Sequence, residues 1–389
     1  KINGATMQGE WAVGVGQALG REHGRAVRTT ASGDVLVVTE KNDRSDPFGR
    51  YRTRLHKLDG ATGTTIWERE YPGLRAGSYT LEGVGEDAFL GGEVQREANG
   101  TDVFNTGDSV ALPSGGSENA PVVAKVAADG STVWVKSFGQ GSTKGLARSI
   151  DGMHVYAMGE NEIAVRDGAC TLTGASGGFL VKLSASDGAC VWAKDMAVDG
   201  GHLRKPVVDA VHVYAAWYAE TSDHRDDSRY GVDRTRRDSD DVFLARWSAD
   251  DGTGEYVAHF GGSGRDTIVG LALGPNGQIV LAGSTDSDRI DFNGVAAKNL
   301  QHQRAEAVTN DTAPLRSGLS TGFVAALSDA TPLCLGCSGS ILEAAIANGT
   351  CFVDGACMAS GETSQHAECA VCDAATSQTV EQPDVISAA

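Results

Sequence analysis

The sequence predicts an all-β protein built of repeated four-stranded sheets, and three observations carry this prediction. One hairpin pattern occurs four times, with alternating apolar and polar residues, a turn glycine and an aromatic residue four positions later. Glycine accounts for 51 of the 389 residues, and short apolar runs end at turn residues. Few segments show the periodicity of a long amphipathic helix. The glycine and aromatic pairs are Gly63 and Trp67, Gly130 and Trp134, Gly188 and Trp192, and Gly252 and Tyr256.

Charge and hydropathy exclude several classes of partner. The formal charge of −18 repels nucleic-acid phosphates and anionic lipid at long range, so we expect neither as a partner. No apolar run is long enough to span a membrane. The chain opens at Lys1 without the apolar core of a signal peptide, and we expect either that a signal was removed or that the chain is a processed fragment.

Two further strand-like runs precede each hairpin, so each repeat has four strands. The predicted repeats span residues 25–71, 79–139, 145–196, 205–260 and 267–328. The fifth repeat lacks its outer strand. Residues 10–17, EWAVGVGQ, have the pattern of an outer strand, with Trp11 in the place of the repeat aromatic. We therefore expect this segment to complete the fifth repeat.

The aromatic residues from Trp11 to Tyr256 recur at intervals of about 60 residues, which is typical of propeller blades. Four-stranded antiparallel sheets stacked around an axis bury both faces of every sheet. The sequence thus predicts an N-terminal extension at 1–9, a five-bladed β-propeller at 10–329 closed by the N-terminal strand, and a cysteine-rich module and tail at 330–389. An open arc, or a larger ring whose first blades were cleaved away, is the alternative.

Two stretches resemble known repeat families. Residues 241–292, which include DVFLARWSADDGTGEYVAHFGGSGRD, resemble the SBBP repeats of seven-bladed propellers. Residues 57–67, KLDGATGTTIW, resemble a quinoprotein repeat. These resemblances cover most of residues 10–328 and imply a propeller fold. The five repeats of this chain differ from the seven blades for which the SBBP family is named. A propeller fold does not by itself determine a function.

The long connections are predicted to lie on one face of the disk. Because strands alternate in direction, the connections between second and third strands share a face with the links between blades. Long insertions on one side indicate an elaborated contact face, and tolerated drift of surface loops is the alternative. These connections cover about 96–119, 161–176, 221–240 and 287–321.

The tail contains six of the eight cysteines, and we expect it to be a disulfide module from an oxidising compartment. A zinc site formed by the two C-x-x-C pairs is the alternative. Cys170 and Cys190 are then expected to form a disulfide with each other. Two buried free thiols are the alternative. The predicted disulfide cysteines are Cys170, Cys190, Cys334, Cys337, Cys351, Cys357, Cys369 and Cys372.

Residues 349–378 resemble a small cysteine-rich module of extracellular proteins of algae and other protists, including surface and flagellar-hair (mastigoneme) proteins of heterokont algae. The resemblance implies an extracellular, cell-surface or secreted protein. Sequons at Asn99, Asn310 and Asn348 are candidate glycosylation sites of the same environment.

One acidic cluster is a candidate calcium site. Asp286, Asp288 and Asp291 alternate where a loop meets a strand, and hard oxygen ligands suit Ca²⁺. Asp238, Asp240 and Asp241 form a similar cluster. Solvated turn chemistry is the alternative for both. The aromatic residues of the outer strands are interpreted as packing residues between blades rather than as a ligand-stacking set.

No enzymatic motif is complete. Quinoprotein dehydrogenases use a larger ring, a G-x-S-x-G elbow is missing and the histidines show no H-E-x-x-H pairing. We therefore expect a non-enzyme that requires no cofactor. The predicted function is an extracellular structural or adhesive building block that contacts copies of itself or other matrix or filament subunits, as in a mastigoneme. A secreted carbohydrate-binding or carbohydrate-cleaving propeller with glycan ligands is the alternative, and a calcium-dependent adhesin is a third hypothesis.

Overall fold

The structure, a computed structural model, contains strands and turns but no helix among the residues that it describes. In that part of the chain, accordingly, no helix is long and apolar enough to cross a membrane. The chain divides into two compact units, Lys1–Ala210 and Val211–Ala389, which are described separately. The described residues are 9–15, 22–42, 51–72, 74–76, 80–95, 103–105, 108–109, 119–161, 165–167, 170–173, 177–197, 202–220, 240–261, 264–274, 278–286, 291–292, 295–296, 321–327, 335–337, 344–346, 350–353 and 356–359.

Three antiparallel sheets form most of the first unit. Sheet one contains β1 (Glu22–Thr29), β2 (Val35–Asn42), β3 (Tyr51–Leu58) and β4 (Thr65–Pro72). Sheet two and its inserted hairpin contain β5 (Leu74–Arg75), β6 (Leu81–Val84), β7 (Asp87–Gln95), β8 (Val103–Asn105), β9 (Asp108–Ser109), β10 (Asn119–Val126) and β11 (Thr132–Ser137). The hairpin is β8–β9, and both β5 and β6 pair with β7.

Sheet three repeats this plan. Its strands and its inserted hairpin are β12 (Gly141–Arg148), β13 (His154–Asn161), β14 (Val165–Asp167), β15 (Cys170–Leu172), β16 (Gly177–Ser184) and β17 (Cys190–Ala197). The hairpin is β14–β15, and the other four strands pair in chain order. The first unit ends with two short strands, β18 (His202–Leu203) and β19 (Val207–Val208).

The second unit contains the remaining strands. Sheet four contains β20 (His212–Glu220), β21 (Asp240–Ser248) and β22 (Gly254–Phe260). Sheet five and its inserted hairpin contain β23 (Asp266–Leu273), β24 (Ile279–Thr285), β25 (Asp291–Phe292), β26 (Val295–Ala296) and β27 (Thr321–Leu327). Two small hairpins follow, made of β28 (Leu335–Cys337), β29 (Ala344–Ile346), β30 (Thr350–Val353) and β31 (Ala356–Ala359).

The hairpins predicted from the sequence are present in sheets one to four. Each turn glycine adopts the left-handed conformation that glycine tolerates best, with φ of 75° at Gly63, 84° at Gly130, 71° at Gly188 and 70° at Gly252. In each turn an aspartate carboxylate accepts a backbone hydrogen bond from within the turn, as Asp129 does from the Ser131 N–H at 2.9 Å. Local turn chemistry therefore fixes the register of these hairpins.

Sheet two is buried on both faces. Val122 and Ala124 of β10 belong to one apolar cluster with residues of sheet one, including Leu55. Val123, between them, belongs to a second cluster with residues of sheet three, including Val181. Because alternate residues of a strand face opposite sides, burial of both faces requires the nearly unbroken apolar run of β10. The core of the first unit thus lies between successive sheets.

The closing strand predicted at 10–17 is described only for residues 10–15. Residues 10–15 lie in no strand, and the described part of sheet five has three strands, β23, β24 and β27. In the structure the described part of the N-terminal segment is held instead by Trp11, which packs against a turn of sheet one.

Candidate functional site

The same aromatic contact joins successive sheets of the first unit. The Trp67 indole Nε1–H donates to the Ala128 carbonyl of the next sheet at 2.8 Å, and its ring lies against Gly130. The Trp134 indole donates to the Ala185 carbonyl at 3.4 Å, and its ring lies against Gly188. A Cβ atom at the turn glycine would meet the indole ring, so the turn glycine serves both the turn and the contact.

Trp11 makes this contact with sheet one. Its indole Nε1–H donates to the Gly60 carbonyl at 3.1 Å, and a Cβ on Gly63 would lie 2.7 Å from the indole Cε3. Residues 9–15, the N-terminal segment, therefore have the position relative to sheet one that an outer strand of a preceding sheet would have. The segment is a candidate contact element because Trp11 joins it to the turn of sheet one.

Sheet five has one buried and one open face. Ile268, Leu281 and Phe323 are buried on one side. The opposite side, here called the open face, contains paired small and β-branched residues, and on it the Val324 side chain is 76% exposed. The open face consists of Ala272, Val280, Ala282, Val324 and Ala326. Ala272, Val324 and Ala326 are exposed, whereas Val280 and Ala282 between them are partly buried. Exposed apolar side chains that lie side by side are typical of a contact site for a partner.

An ion cluster around a buried carboxylate joins β1 and β6 to the segment between β18 and β19. Glu82 of β6 accepts a hydrogen bond from Arg28 of β1, whose Nη2 lies 3.2 Å from the Glu82 Oε1, and another from the Lys205 ammonium. Glu82 is largely buried. First strands line the central channel of a propeller. We call Arg28, Glu82 and Lys205 the inner-strand cluster, and it contains two cations and one carboxylate.

Gly145 lets the chain at Lys205 lie close to β12, so that Lys205 can join the inner-strand cluster. A Cβ on Gly145 of β12 would lie 2.8 Å from the Lys205 Cα and equally close to Pro206, so the chain crosses β12 where it has no side chain. Burial lowers the pKa of Lys205, and the Arg28 charge lowers it further, while Glu82 opposes the shift. Glu82 therefore favours the charged form of Lys205.

The sequence analysis missed this cluster, although the repeats contain a signal for it. Arg28 lies opposite Leu36 in sheet one, and Glu82 lies opposite Phe89 in sheet two. The equivalent positions of sheets three and five hold alanine, Ala147 and Ala272. Charged residues where other repeats have alanine indicate a role specific to the first two sheets.

The long connection of sheet three covers the sheet's outer edge. β15 contacts β17, the Thr173 N–H donates to the Asp195 carboxylate at 2.9 Å, and a disulfide joins Cys170 to Cys190. Cys190 begins β17, at the end remote from where the connection leaves β13. The described part of this connection is therefore held along the edge of sheet three, where it protects an outer strand from pairing.

The turn carboxylates are electrostatically stabilised. The Asp251 carboxylate accepts hydrogen bonds from the backbone N–H and the hydroxyl of Thr253, at 2.9 and 2.8 Å. These bonds lower the pKa of Asp251 to about 2. Hydrogen bonds within the turn likewise lower the pKa values of Asp59, Asp129 and Asp187. The turns are therefore sensitive to acid.

The other predicted site residues lie mainly outside the described residues. Asp286 is described, and its backbone N–H donates to the Arg265 carbonyl at 2.8 Å. Among the described side chains, no group of three acidic, histidine or cysteine residues could hold a metal ion. The backbones of Asp291, Cys337, Cys351 and Cys357 lie in short strands. Asp238, Asp288, Cys334, Cys369, Cys372 and the three sequon asparagines, Asn99, Asn310 and Asn348, lie outside the described residues.

Comparison with known proteins identifies the repeats. A family model described as outer membrane protein assembly factor BamB, of the PQQ-like repeat type, matches residues 118–328, from sheet two to sheet five. The Dos1 propeller matches at 11% identity over 68% of this chain and 54% of that chain, about half of its length, with a TM-score of 0.40. Sqt1 from Chaetomium thermophilum matches at 14% identity over 69% of this chain and 67% of that chain, with a TM-score of 0.32. No curated protein matches the sequence.

Proposed function

The chain belongs to the PQQ-like repeat family described as outer membrane protein assembly factor BamB, and on this premise we propose that it is a noncatalytic building block of an extracellular assembly. In this proposal its propeller contacts other protein subunits in a surface layer or filament. The family description names an assembly factor, which supports a role in protein contacts rather than in chemistry. A propeller is a scaffold for many functions, so the proposal depends on the surfaces of this chain.

One observation carries the proposal, and it is the open face of sheet five. Sheet two is buried on both faces, whereas Val324 is 76% exposed on a surface of alanine and valine. Soluble chains seldom leave such surface uncovered, because removing it from water is favourable by roughly 25 cal/mol per Å². A protein partner would supply that burial.

The more specific expectations from the sequence are part of the same proposal. Five blades, a disulfide module at 330–389, glycans on the sequons and a mastigoneme-like surface or filament remain proposals. The Cys170–Cys190 disulfide supports an oxidising, extracellular location, because such bonds persist there and are rare in the cytosol. Calcium at Asp286 and its neighbours is an optional cofactor in this proposal, and loss of thermal stability on adding EDTA would support it.

The proposal is tested on protein from its native source. Negative-stain electron microscopy and native mass measurement should show filaments, sheets or defined oligomers. A Val324→Asp variant should assemble at least about tenfold more weakly, since it places a charge on the open face. The matched control is Val269→Asp, at a valine of the same sheet that is 52% exposed on β23. A monodisperse monomer under every condition would contradict the proposal.

A carbohydrate-binding propeller is the second candidate, and the inner-strand cluster is the observation that favours it. Two cations around one carboxylate leave a net positive charge where propellers line their channel, which suits an acidic saccharide. A screen against neutral and acidic glycans would test this candidate. Binding that is confined to acidic glycans and lost in Lys205→Met would support it, and equal binding by the variant would contradict it.

A further inference from the structure

Two lysines that pair with carboxylates have opposite pKa shifts. The Lys57 ammonium lies 2.9 Å from the Glu86 carboxylate and 3.4 Å from that of Asp34. Burial alone would lower the pKa of Lys57, but its bonds to these two carboxylates raise it above the ordinary lysine value. Lys205 has one carboxylate partner among the described residues, Glu82, and burial lowers its pKa. Lys205 therefore releases its proton more readily than Lys57.

The inner-strand cluster explains this property of Lys205. Glu82 accepts hydrogen bonds from both Lys205 and Arg28, so its negative charge is shared between two cations. After burial, the Arg28 charge is what lowers the pKa of Lys205 further. The neutral amine is the nucleophilic form of lysine, and loss of solvent beside a second cation is a known way of obtaining it. The cluster thus holds a lysine that is activated toward a carbonyl group.

Arg28 has donors available for a ligand. Its Nε and Nη2 donate to Glu82, at 3.4 and 3.2 Å, and its Nη1 donates to the Val27 carbonyl at 2.7 Å. A guanidinium has five N–H groups, so two of them are not engaged by the described residues. The Arg28 and Lys205 side chains are 31% and 24% exposed, whereas the Glu82 carboxylate that joins them is largely covered. A ligand can therefore reach the amine and the guanidinium together.

The three side chains match the groups of one class of molecule. A guanidinium binds a carboxylate, often through two parallel hydrogen bonds. A neutral amine adds to a ketone or an aldehyde. A carboxylate that is hydrogen-bonded to the ammonium can accept its proton, as Glu82 is placed to do. A 2-oxo acid has a carbonyl group directly beside a carboxylate, so it presents both of its groups to Arg28 and Lys205.

We propose that the inner-strand cluster binds a 2-oxo acid as a reversible imine on Lys205. Glu82 accepts a proton from the ammonium, and the freed electron pair of Nζ forms a bond to the carbonyl carbon while the C–O π electrons move to oxygen. Two protons pass from the nitrogen to that oxygen, one of them through Glu82, and it leaves as water while the C=N bond forms. An ammonium ion and a ketone thus give an iminium ion and water, without an oxidant or a reductant.

Reductive trapping tests the proposal. The full chain is incubated at neutral pH with pyruvate, a small 2-oxo acid, and with cyanoborohydride, which reduces an imine to a stable amine. Peptide mapping by mass spectrometry locates the adduct, whose added mass is that of pyruvic acid less one oxygen atom. We expect at least about tenfold more adduct at Lys205 than at Lys57, because Arg28 holds the ligand beside the amine. Equal modification of the two lysines would overturn the proposal.

Acetone tests the part of Arg28, because it has the same carbonyl group and no carboxylate. Its yield at Lys205 should be at least about tenfold lower than that of pyruvate, as expected for the loss of one hydrogen bond to a charged group. The Arg28→Met variant should lose a similar factor with pyruvate. The matched control is Lys144→Met on β12, which removes a lysine that pairs with Glu160 at 3.1 Å, and its yield at Lys205 should be unchanged. Equal yields with acetone and pyruvate would contradict the binding of the carboxylate.

The outcomes separate this inference from the proposed functions, because it does not involve the open face. Folded protein without an adduct at Lys205 would remove the imine and leave the building-block function standing. Binding of acidic glycans without an adduct would leave the carbohydrate candidate standing and likewise remove the imine. Far-UV circular dichroism of Arg28→Met establishes that the sheets are intact. Trapping in urea supplies the unfolded reference, in which the preference for Lys205 over Lys57 should disappear.

Discussion

Replacement of Gly188 by alanine tests the aromatic contact that joins the sheets. The glycine has φ of 71°, and a Cβ there would lie 2.8 Å from the Trp134 indole. The left-handed backbone costs alanine about 1–2 kcal/mol. Displacement of the ring weakens its 3.4 Å hydrogen bond to Ala185, worth about 1 kcal/mol, and adds about 1–2 kcal/mol of overpacking. We expect a total loss of about 3–5 kcal/mol.

The matched control for this variant is Gly85→Ala. Gly85 also has a positive φ, of 58°, but a Cβ there meets no atom within 4 Å, so the control measures backbone strain alone. Urea denaturation followed by near-ultraviolet circular dichroism should give a loss about 2 kcal/mol greater for Gly188→Ala than for Gly85→Ala. Near the midpoint this corresponds to a Tm lower by about 4–8 °C. Equal losses in the two variants would refute the reasoning.

Three further results are expected. The Cys170–Cys190 disulfide of sheet three joins residues 20 positions apart. Its reduction should lower the free energy of unfolding by about 3 kcal/mol in urea titrations. An unchanged midpoint would contradict its role at the edge. The folded-state pKa of Asp251 lies below its unfolded value of 3.8, so its stabilisation is present above about pH 4 and is lost as the pH falls toward about 2. The Asp251→Asn variant should therefore lose less Tm than the unchanged protein as the pH falls through this range, whereas Asp250→Asn should behave like the unchanged protein. The effect on the free energy of unfolding should stay below about 1 kcal/mol, because the Asp251 carboxylate is exposed. A double-mutant cycle of Glu82→Gln and Lys205→Met should give a coupling of about 1–3 kcal/mol by denaturation, and additive losses would contradict the inner-strand cluster.

The hairpins could be predicted because their information is local. An aspartate, a glycine in the left-handed conformation and an aromatic residue four positions later lie within one turn and its following strand. The Gly188 turn and Trp192 appear where the sequence places them, in the connection and outer strand of sheet three. Turn type fixes the register of the two strands, so no distant residue is needed to specify a hairpin.

The inner-strand cluster could not be predicted in the same way, because its members are distant in sequence. Glu82 and Lys205 are 123 residues apart and meet only because Gly145 lets the chain pass close to β12. Hydrophobic periodicity finds strands and their buried faces, but it does not say which charges are brought together at the first strands. Comparison of equivalent repeat positions is the observation that would have singled out Arg28 and Glu82.

The N-terminal segment shows why a strand pattern can be correct and the predicted strand still missing. A strand forms only when its backbone groups find a neighbouring edge, whereas the contact of Trp11 needs only the turn at Gly60 and Gly63. The contact of Trp11 is local to one turn, whereas residues 10–15 lie in no strand of the described structure. The closing strand therefore stays a prediction, because its pairing depends on a distant edge that a local sequence pattern does not specify.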